Sequence, residues 1–179
     1  MIGSCGAHRR ARGAVDATGL AQGAVSTFFV RRLYHHTGQP LPWRHELKWL
    51  VAVDVDRQLL LAQTARTRPG NDCASLPPLV ETASRVAPIG QVLADAELDS
   101  ERNHLYIRQQ LHAQSIIPAK RGKKTWRIHG VRAEMRRALV ETVFSTVKRK
   151  LSSRAPGRSL FLQLRQALLL GLAYNLYRL

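Results

Sequence analysis

Arg137, Glu141 and Lys148 are residues whose types and spacing could carry chemistry. Arg137 and Glu141 are four positions apart and Glu141 and Lys148 are seven, so a helix would place one carboxylate between two cations. A surface helix with an ordinary Arg–Glu pair explains this pattern. The alternative is a catalytic carboxylate whose basic neighbours bind a phosphate backbone. That alternative requires further carboxylates, because one Glu cannot hold the two divalent ions that phosphoryl-transfer sites use.

Two aspartates upstream follow apolar runs. Residues 13–17 are predicted to form a short strand that ends at Asp16, with an Asx turn, in which Asp16 caps its own backbone, as the structural alternative. Residues 89–94 are predicted to form a strand that delivers Asp95 at its C-terminal end. Asp99 or Ser100 would cap the next helix, which leaves Asp95 without such a structural role. Carboxylates at the C-terminal ends of strands in α/β sheets are well placed for ligands.

A helix predicted at 136–151 must position Glu141. This segment contains no Gly or Pro, so a helix can run through it. Its apolar residues fall on one stripe at helical spacing, which predicts a buried face. The members of this stripe are Leu139, Val140, Val143, Phe144, Val147 and Leu151.

The remaining segments predict the frame around this helix. Strands are predicted at 26–33, 48–54, 58–64 and 115–118, and Asp56-Arg57 is the expected turn of the hairpin formed by the middle two. Helices are predicted at 75–86, 101–111 and 159–178, with Ser75 as the N-cap of the first. The order predicts a mixed α/β domain with an antiparallel front half and crossovers behind.

The charge of the chain indicates its class of partner. The 179 residues suggest one domain, and 28 Lys and Arg against 12 Asp and Glu give a formal charge of +16. Such an excess in a foldable chain indicates a polyanion, most often nucleic acid, and favours it over a membrane surface. Two cysteines give neither a disulfide framework nor a zinc cluster, which fits a reducing cytoplasm. The basic run of Lys120, Arg121, Lys123 and Lys124 is either a solvated cluster or a phosphate contact.

The order of the three carboxylates, two after strands and one on a late helix, resembles the ribonuclease H-like fold of DDE transposases and retroviral integrases. Four local stretches resemble bacterial insertion-sequence transposases. They are Val-Asp-Ala-Thr-Gly-Leu around Asp16, Pro-Gly-Asn-Asp at 69–72, Leu-Ala-Asp-Ala-Glu-Leu-Asp-Ser around Asp95 and Ile-Ile-Pro-Ala-Lys-Arg at 116–121. The spacing Arg137-x3-Glu141-x6-Lys148 is similar to the last part of the Tyr-x2-Arg-x3-Glu-x6-Lys motif of one large group of these elements. The resemblance covers residues 13–179.

The resemblance implies a fold and a chemistry. It implies a ribonuclease H-like mixed sheet flanked by helices over residues 13–179, ending in a helical pair, after a basic flexible tail at 1–12. Asp16, Asp95 and Glu141 would be the catalytic residues and would hold two Mg²⁺ ions, for which Mn²⁺ may substitute. One ion would activate a water or a 3′-hydroxyl and the other would stabilise the leaving oxygen. Arg137 and Lys148, with the basic run at 120–124, would contact DNA phosphates.

The resemblance further implies DNA as the partner, in the form of element ends and target DNA. It allows a homodimer, involves no membrane, and places the protein at the nucleoid in a bacterial cytoplasm. Its activity would be metal-dependent DNA strand cleavage and strand transfer. The rival functions are a non-catalytic basic nucleic-acid-binding protein and a nuclease of the same fold.

The sequence departs from the family pattern in three places. Glu134 stands seven positions before Glu141, where the motif has Tyr. The connector before Glu141 is shorter than usual, and the chain begins just before Asp16. We therefore expect a shortened copy with a recognisable pocket and weak or absent strand transfer.

Overall fold

A six-stranded mixed sheet forms the centre of the computed structural model, which describes residues 10–39, 46–67, 72–120 and 133–179. The strands are β1 (Ala11–Gln22), β2 (Glu46–Asp54), β3 (Leu59–Arg66), β4 (Ile89–Ala94), β5 (Gln114–Ile116) and β6 (Arg154–Ala155). Their order is β3-β2-β1-β4-β5, and β6 pairs with the far end of β1. Strands β1, β2 and β3 are antiparallel neighbours, whereas β4, β5 and β6 run parallel to their partners. The predicted antiparallel front half with crossovers behind is confirmed.

Helices cover both faces of this sheet. They are α1 (Thr27–Thr37), α2 (Leu76–Val86), α3 (Glu101–Leu105), α4 (Ala133–Thr146) and α5 (Leu160–Arg178). Helices α3 and α4 each continue into a wider turn, at Tyr106–Gln110 and Val147–Leu151, that closes with hydrogen bonds between residues five apart. None of the helices in these described ranges is long and apolar enough to cross a membrane.

Strand alternation divides the core into two layers. Successive residues of a strand point to opposite faces, so Ala14 and Val51 pack on one side of the sheet while Val15 and Leu50 pack on the other. The first layer is completed by α4 and α5, through Val140, Val143, Phe144, Val147, Ala167 and Tyr174. The second is completed mainly by α2 and the segment after α3, through Leu76, Leu79, Val80, Ala83 and Ile107. The predicted apolar stripe of α4 is therefore buried at its described centre, and Leu151 at its end is exposed.

The strand predicted at 26–33 is wrong, because this segment forms α1. Ser26 Oγ accepts a hydrogen bond from the backbone N–H of Phe29 at 3.2 Å, and Gly38 ends the helix in the left-handed conformation with φ of 64°. The apolar run is not a buried strand, since Phe28 is 72% exposed. The N-cap Ser26 and the C-terminal Gly38 are the sequence signals that distinguish a helix from a strand in this segment.

The strand predicted at 13–17 is longer than expected. It runs from Ala11 to Gln22, so Asp16 lies in the middle of β1 and not at its end. Pairing with β2 continues to Ala21, so the strand stays extended well beyond the end that was predicted at Asp16. Residues 1–9 of the expected tail lie outside the described residues.

Most other boundaries agree closely with the sequence. The β2–β3 hairpin turns at residues 55–58, and β4 spans the predicted 89–94. Ser100 caps α3, since its side chain accepts from Asn103 N at 3.2 Å. Ser75 precedes α2 as expected but makes no side-chain capping bond, because it is already part of a helical turn at Asp72–Ser75.

Candidate active site

Asp16 and Asp95 lie on neighbouring parallel strands at matching heights. Val15 of β1 is the register partner of Ala94 of β4, and an aspartate follows each of them in the chain. The prediction that the two aspartates lie on adjacent strands is confirmed. Ala14, two residues before Asp16, and Leu93, two residues before Asp95, both pack in the layer that α4 covers. Strand periodicity therefore directs both aspartates toward the α4 side of the sheet.

Each carboxylate is oriented by its own backbone. Asp16 Oδ1 accepts a hydrogen bond from Ala17 N at 2.7 Å, and Asp95 Oδ1 accepts from Ala96 N at 2.6 Å. The latter makes Asp95 the cap of a short helical turn at Ala96–Leu98. The expectation that Asp95 has no capping role is therefore wrong, because a helical turn begins directly after β4. One oxygen of each aspartate is thereby fixed in direction, which pre-organises the pair.

A small cavity joins the two aspartates. Its volume is about 50 Å³, on the scale of one or two water molecules. Its lining residues are Asp16, Ala17, Lys48, Leu50, Asp72, Asp95, Glu97 and Leu98. Asp16 of β1 and Asp95, directly after β4, therefore both line one small space.

Glu141 stands on α4, outside this cavity. Its neighbours Val140 and Val143 are buried in the layer above β1, whereas Glu141 itself is exposed. Across the part of the chain that the structure describes, no three His, Cys, Asp or Glu side chains form a group that could hold a metal ion. The structure thus brings Asp16 and Asp95 together, and Glu141 does not complete a three-ligand cluster with them.

Lys148 reaches the strand that carries Asp16. Its Nζ donates a hydrogen bond to Thr18 Oγ1 at 2.8 Å, two residues along β1 from Asp16. Of the other predicted DNA contacts, Lys120 is exposed and its backbone N–H donates to Asp99 Oδ2 at 2.9 Å. The Arg137 side chain and residues Arg121, Lys123 and Lys124 lie outside the described parts of the structure.

The family is decided by a match over nearly the whole chain. The model of the Transposase DDE domain family matches residues 8–176. This chain belongs to that family. The fold agrees with a solved structure titled as a piggyBac transposase synaptic complex with hairpin DNA, with a TM-score of 0.59 and 11% identity. The match covers 94% of this chain and 46% of that one, so the chain spans about half the length of that transposase. No curated protein matches the chain.

The predicted ribonuclease H-like fold of this DDE domain is confirmed. Its mixed sheet, flanked by helices and closed by α5, matches the transposase neighbour along almost all of the present chain. Asp95 directly follows β4, as the resemblance implies, whereas Asp16 lies in the middle of β1 and not after it.

Three charged residues beside the aspartates were missed by the sequence reasoning. Asp72, only 8% exposed, is contacted by Lys48 Nζ and by Arg66 Nη2, and both Lys48 and Asp72 line the cavity of the DDE domain. Asp72 belongs to the Pro-Gly-Asn-Asp stretch already noted in the sequence, which was the available signal. Lys48 gave no such signal, because it was only the first residue of a predicted strand.

A second buried polar group supports the loop that leads to the basic run. Asp99 Oδ1 lies 3.1 Å from His104 Nε2, and Ser115 Oγ lies 2.8 Å from His104 Nδ1. With Lys120 N on Asp99 Oδ2, this group ties α3 and β5 to the chain that enters residues 120–124. Asp99 and His104 are buried, Ser115 is half-buried, and none of these three lines the aspartate cavity.

The donors around the cavity suit a hard divalent cation. Mg²⁺ prefers oxygen ligands, often takes only one or two carboxylates from the protein, and shares the rest of its shell with water and substrate phosphates. Asp16 and Asp95 both line one cavity of this transposase domain, so the residue types present fit such an ion.

Proposed function

We propose that this DDE domain catalyses metal-dependent DNA strand cleavage and strand transfer for an insertion sequence. The observation that carries the proposal is the placement of Asp16 and Asp95 at matching heights on parallel β1 and β4, where they line one cavity. Family membership supports it, because phosphoryl transfer by this class depends on a carboxylate set.

The reaction follows from the substrate. In cleavage, a water oxygen bonds to the phosphorus and the bond from phosphorus to the 3′ oxygen breaks, so that strand leaves as a 3′-hydroxyl after taking up a proton. In strand transfer, that 3′-hydroxyl oxygen attacks a target phosphorus and another 3′ oxygen leaves. Divalent ions at the site, when bound, would activate the nucleophile and stabilise the leaving oxygen.

Each residue of the chain has a proposed part in this reaction. Asp16 and Asp95 would hold Mg²⁺ or Mn²⁺, and Glu141 would be the third carboxylate when DNA and ions are bound. Arg137 and Lys148 would bind phosphates near the scissile bond, and the hydrogen bond from Lys148 to Thr18 supports this, because it puts the ammonium group over β1.

The proposed partner is DNA, as element ends and as target. The formal charge of +16 supports this, as does the structural neighbour, which was solved as a complex with hairpin DNA. The run of Lys120, Arg121, Lys123 and Lys124 would add phosphate contacts. We also propose that the protein forms a homodimer and works at the nucleoid in a bacterial cytoplasm.

Nicking of a supercoiled plasmid in Mg²⁺ or Mn²⁺ tests the active site without knowledge of the element ends. We expect Asp16→Asn, Asp95→Asn and Glu141→Gln each to reduce the nicking rate about a hundredfold or more, because each removes a charged oxygen donor. Matched controls are Asp56→Asn and Glu81→Gln, acidic residues outside the cavity lining, which should nick like the unchanged protein. Equal circular dichroism melting curves show that the variants are folded.

The rival functions predict different products. DNA binding without metal-dependent nicking would identify a non-catalytic basic DNA-binding protein. Nicking that survives both aspartate variants would show that the two aspartates do not carry the activity. Joined products, on DNA that carries the element's own ends, would exclude a nuclease of the same fold.

A further inference from the structure

Asp72 lies at the centre of a cluster of charges beside the aspartate pair. It is only 8% exposed, and its two oxygens are taken by different cations, Oδ2 by Lys48 Nζ and Oδ1 by Arg66 Nη2. Arg66 Nη1 also lies 3.4 Å from Ser75 Oγ, at the start of α2. Asp72 is thus anchored from the Arg66 side and can hold Lys48 in one place.

Lys48 connects this cluster to the cavity. It belongs to β2, where its register partner is Gly19 on β1, three residues beyond Asp16. Its side chain is 40% exposed and lines the cavity together with Asp16 and Asp95. Asp72 therefore holds the ammonium group of a side chain that lines the same cavity as the two aspartates, while part of that side chain remains open to solvent.

The charges of the residues around the cavity indicate a role for Lys48. Four acidic residues, Asp16, Asp72, Asp95 and Glu97, line the cavity, and Lys48 is the one basic residue among its described lining residues. A DNA phosphate that approached this lining would be repelled, unless cations faced it. Two cations share the single charge of Asp72, so Lys48, Arg66 and Asp72 together carry a net positive charge that can still attract an anion.

We propose that Lys48 binds a DNA phosphate beside the Asp16–Asp95 pair, and that Asp72, itself held by Arg66, is the residue that positions it. The inference rests on the proposed function, since it places the reacting strand across this cavity. It adds a contact from β2 to the phosphate contacts proposed above for Arg137 and Lys148. Lysine suits this role because its ammonium is a compact charge with three donors, of which Asp72 needs only one.

The test measures how much a divalent ion strengthens DNA binding. A short fluorescein-labelled duplex is titrated with the full chain in Ca²⁺, which is expected to occupy the site without turnover, and again in EDTA. We expect Lys48→Met to weaken binding in Ca²⁺ about tenfold, the size of one charge-assisted hydrogen bond, and to change binding in EDTA much less. Lys48→Arg should keep most of the affinity. Lys150→Met, an exposed lysine after α4, is the matched control and should lower both affinities slightly and equally.

The outcomes separate this inference from the proposed function. If Asp16→Asn and Asp95→Asn abolish the gain in Ca²⁺ while Lys48→Met behaves like Lys150→Met, the role of Lys48 is overturned and the metal site stands. If the gain does not depend on the two aspartates, both fail. Melting curves show whether each variant is folded, and Lys48→Gln, which still donates to Asp72, carries the same comparison if Lys48→Met does not fold. Asp72→Asn should reduce the gain severalfold although Lys48 is present; an unchanged gain would remove Asp72 from the proposal.

Discussion

Lys148 Nζ and Thr18 Oγ1 lie 2.8 Å apart, and this hydrogen bond joins the wider turn after α4 to β1. Thr18 is two residues from Asp16 on the same face of the strand, so it shares the face that α4 covers. Buried Val140, Val143 and Val147 seat the helix there. The position of Lys148 thus follows from the packing of α4, and it brings a cation to the strand that carries the first aspartate.

A double-mutant cycle between Thr18 and Lys148 checks this relationship. Thr18→Val and Lys148→Met should each lower the free energy of unfolding by less than about 1 kcal/mol, because the bond is exposed. The coupling energy should be a few tenths of a kcal/mol. Urea unfolding of the four proteins measures it, and a coupling of zero would show that the contact is not kept in solution.

Replacement of Gly171 by Ala should change the stability in the direction opposite to that expected from helix propensity. A Cβ at this position would lie 2.1 Å from Gln63 Oε1, and the same Gln63 accepts from Trp49 Nε1 at 3.0 Å and donates to Leu168 O at 2.9 Å. Gly171→Ala should therefore destabilise the protein by about 1–3 kcal/mol through overpacking, although Ala is the better helix former. Leu172→Ala, at an exposed position of the same helix, should change the stability by no more than about 0.5 kcal/mol. Chemical denaturation compares the two, and a stabilised Gly171→Ala would contradict this packing.

Tyr174 gives a prediction for alkaline pH. Burial raises the pKa of its hydroxyl above the ordinary value of 10.0, and the hydroxyl donates to Gln58 O at 2.9 Å. Because the folded protein favours the neutral phenol, its contribution to stability is fully present below pH 10 and is lost as the pH rises through the higher folded-state pKa. Tyr174→Phe should cost about 1 kcal/mol at neutral pH, and the difference should shrink above about pH 10.

Unfolding measured in urea across that pH range tests the Tyr174 prediction. Tyr177→Phe, at an exposed tyrosine of α5, controls for the removal of a phenol from the surface. A cost that does not change with pH would show that the Tyr174 phenol does not favour its neutral form in the folded protein.

The elements whose bounds were predicted closely are those in which local sequence signals mark the ends. The β2–β3 hairpin and β4 are apolar runs ended by Asp-Arg and Pro signals, so local chemistry sets their limits. Helix α1 was missed because Phe28, Phe29 and Val30 form an apolar run that looks like a strand. Only the cap at Ser26 and the Gly at 38 distinguish it from one.

The residues of the site also divide into those that local sequence patterns could place and those that they could not. Asp16 and Asp95 could be paired from the sequence, because each follows an apolar run and parallel strands bring such positions together. Lys48 and Asp72 could not be paired, since they are 24 residues apart and meet only when β2 packs next to the turn before α2. Glu141 was correctly placed on a helix, but its distance from the aspartates depends on tertiary packing that no local pattern encodes.

The basic run predicts a change in salt dependence. For B-DNA, log K falls against log salt with a slope of about −0.9 for each phosphate neutralised. Charge reversal at Lys120, Arg121, Lys123 and Lys124 should therefore make the slope shallower. Anisotropy titrations at several salt concentrations measure it, and the control is reversal of four exposed cations elsewhere, at Arg31, Arg32, Arg85 and Arg178. A slope that changes no more than in this control would show that the run faces away from DNA.

Glu134 is the departure from the family motif whose replacement by Tyr should raise strand-transfer activity. It stands seven residues before Glu141, two turns away on α4, where the family motif has Tyr. A carboxylate repels a phosphate, whereas a tyrosine hydroxyl can donate a hydrogen bond to one. We expect Glu134→Tyr to strengthen DNA binding and to raise strand transfer from the weak or absent level of the unchanged chain. The melting temperature should barely change, because the substitution affects the contact with phosphate and not the fold.

The decisive assay for Glu134 supplies Mg²⁺ or Mn²⁺ and DNA that carries the element's own ends. Glu134→Phe is the matched control, because it removes the charge and adds the ring without the hydroxyl. Charge repulsion alone would make Phe and Tyr equally active, whereas a hydrogen bond to phosphate would make Tyr the better of the two. Robust strand transfer by the unchanged chain would contradict the prediction, because the missing Tyr would then cost nothing. Equal inactivity of all three proteins, with nicking intact, would place the defect elsewhere in the path from cleavage to joining.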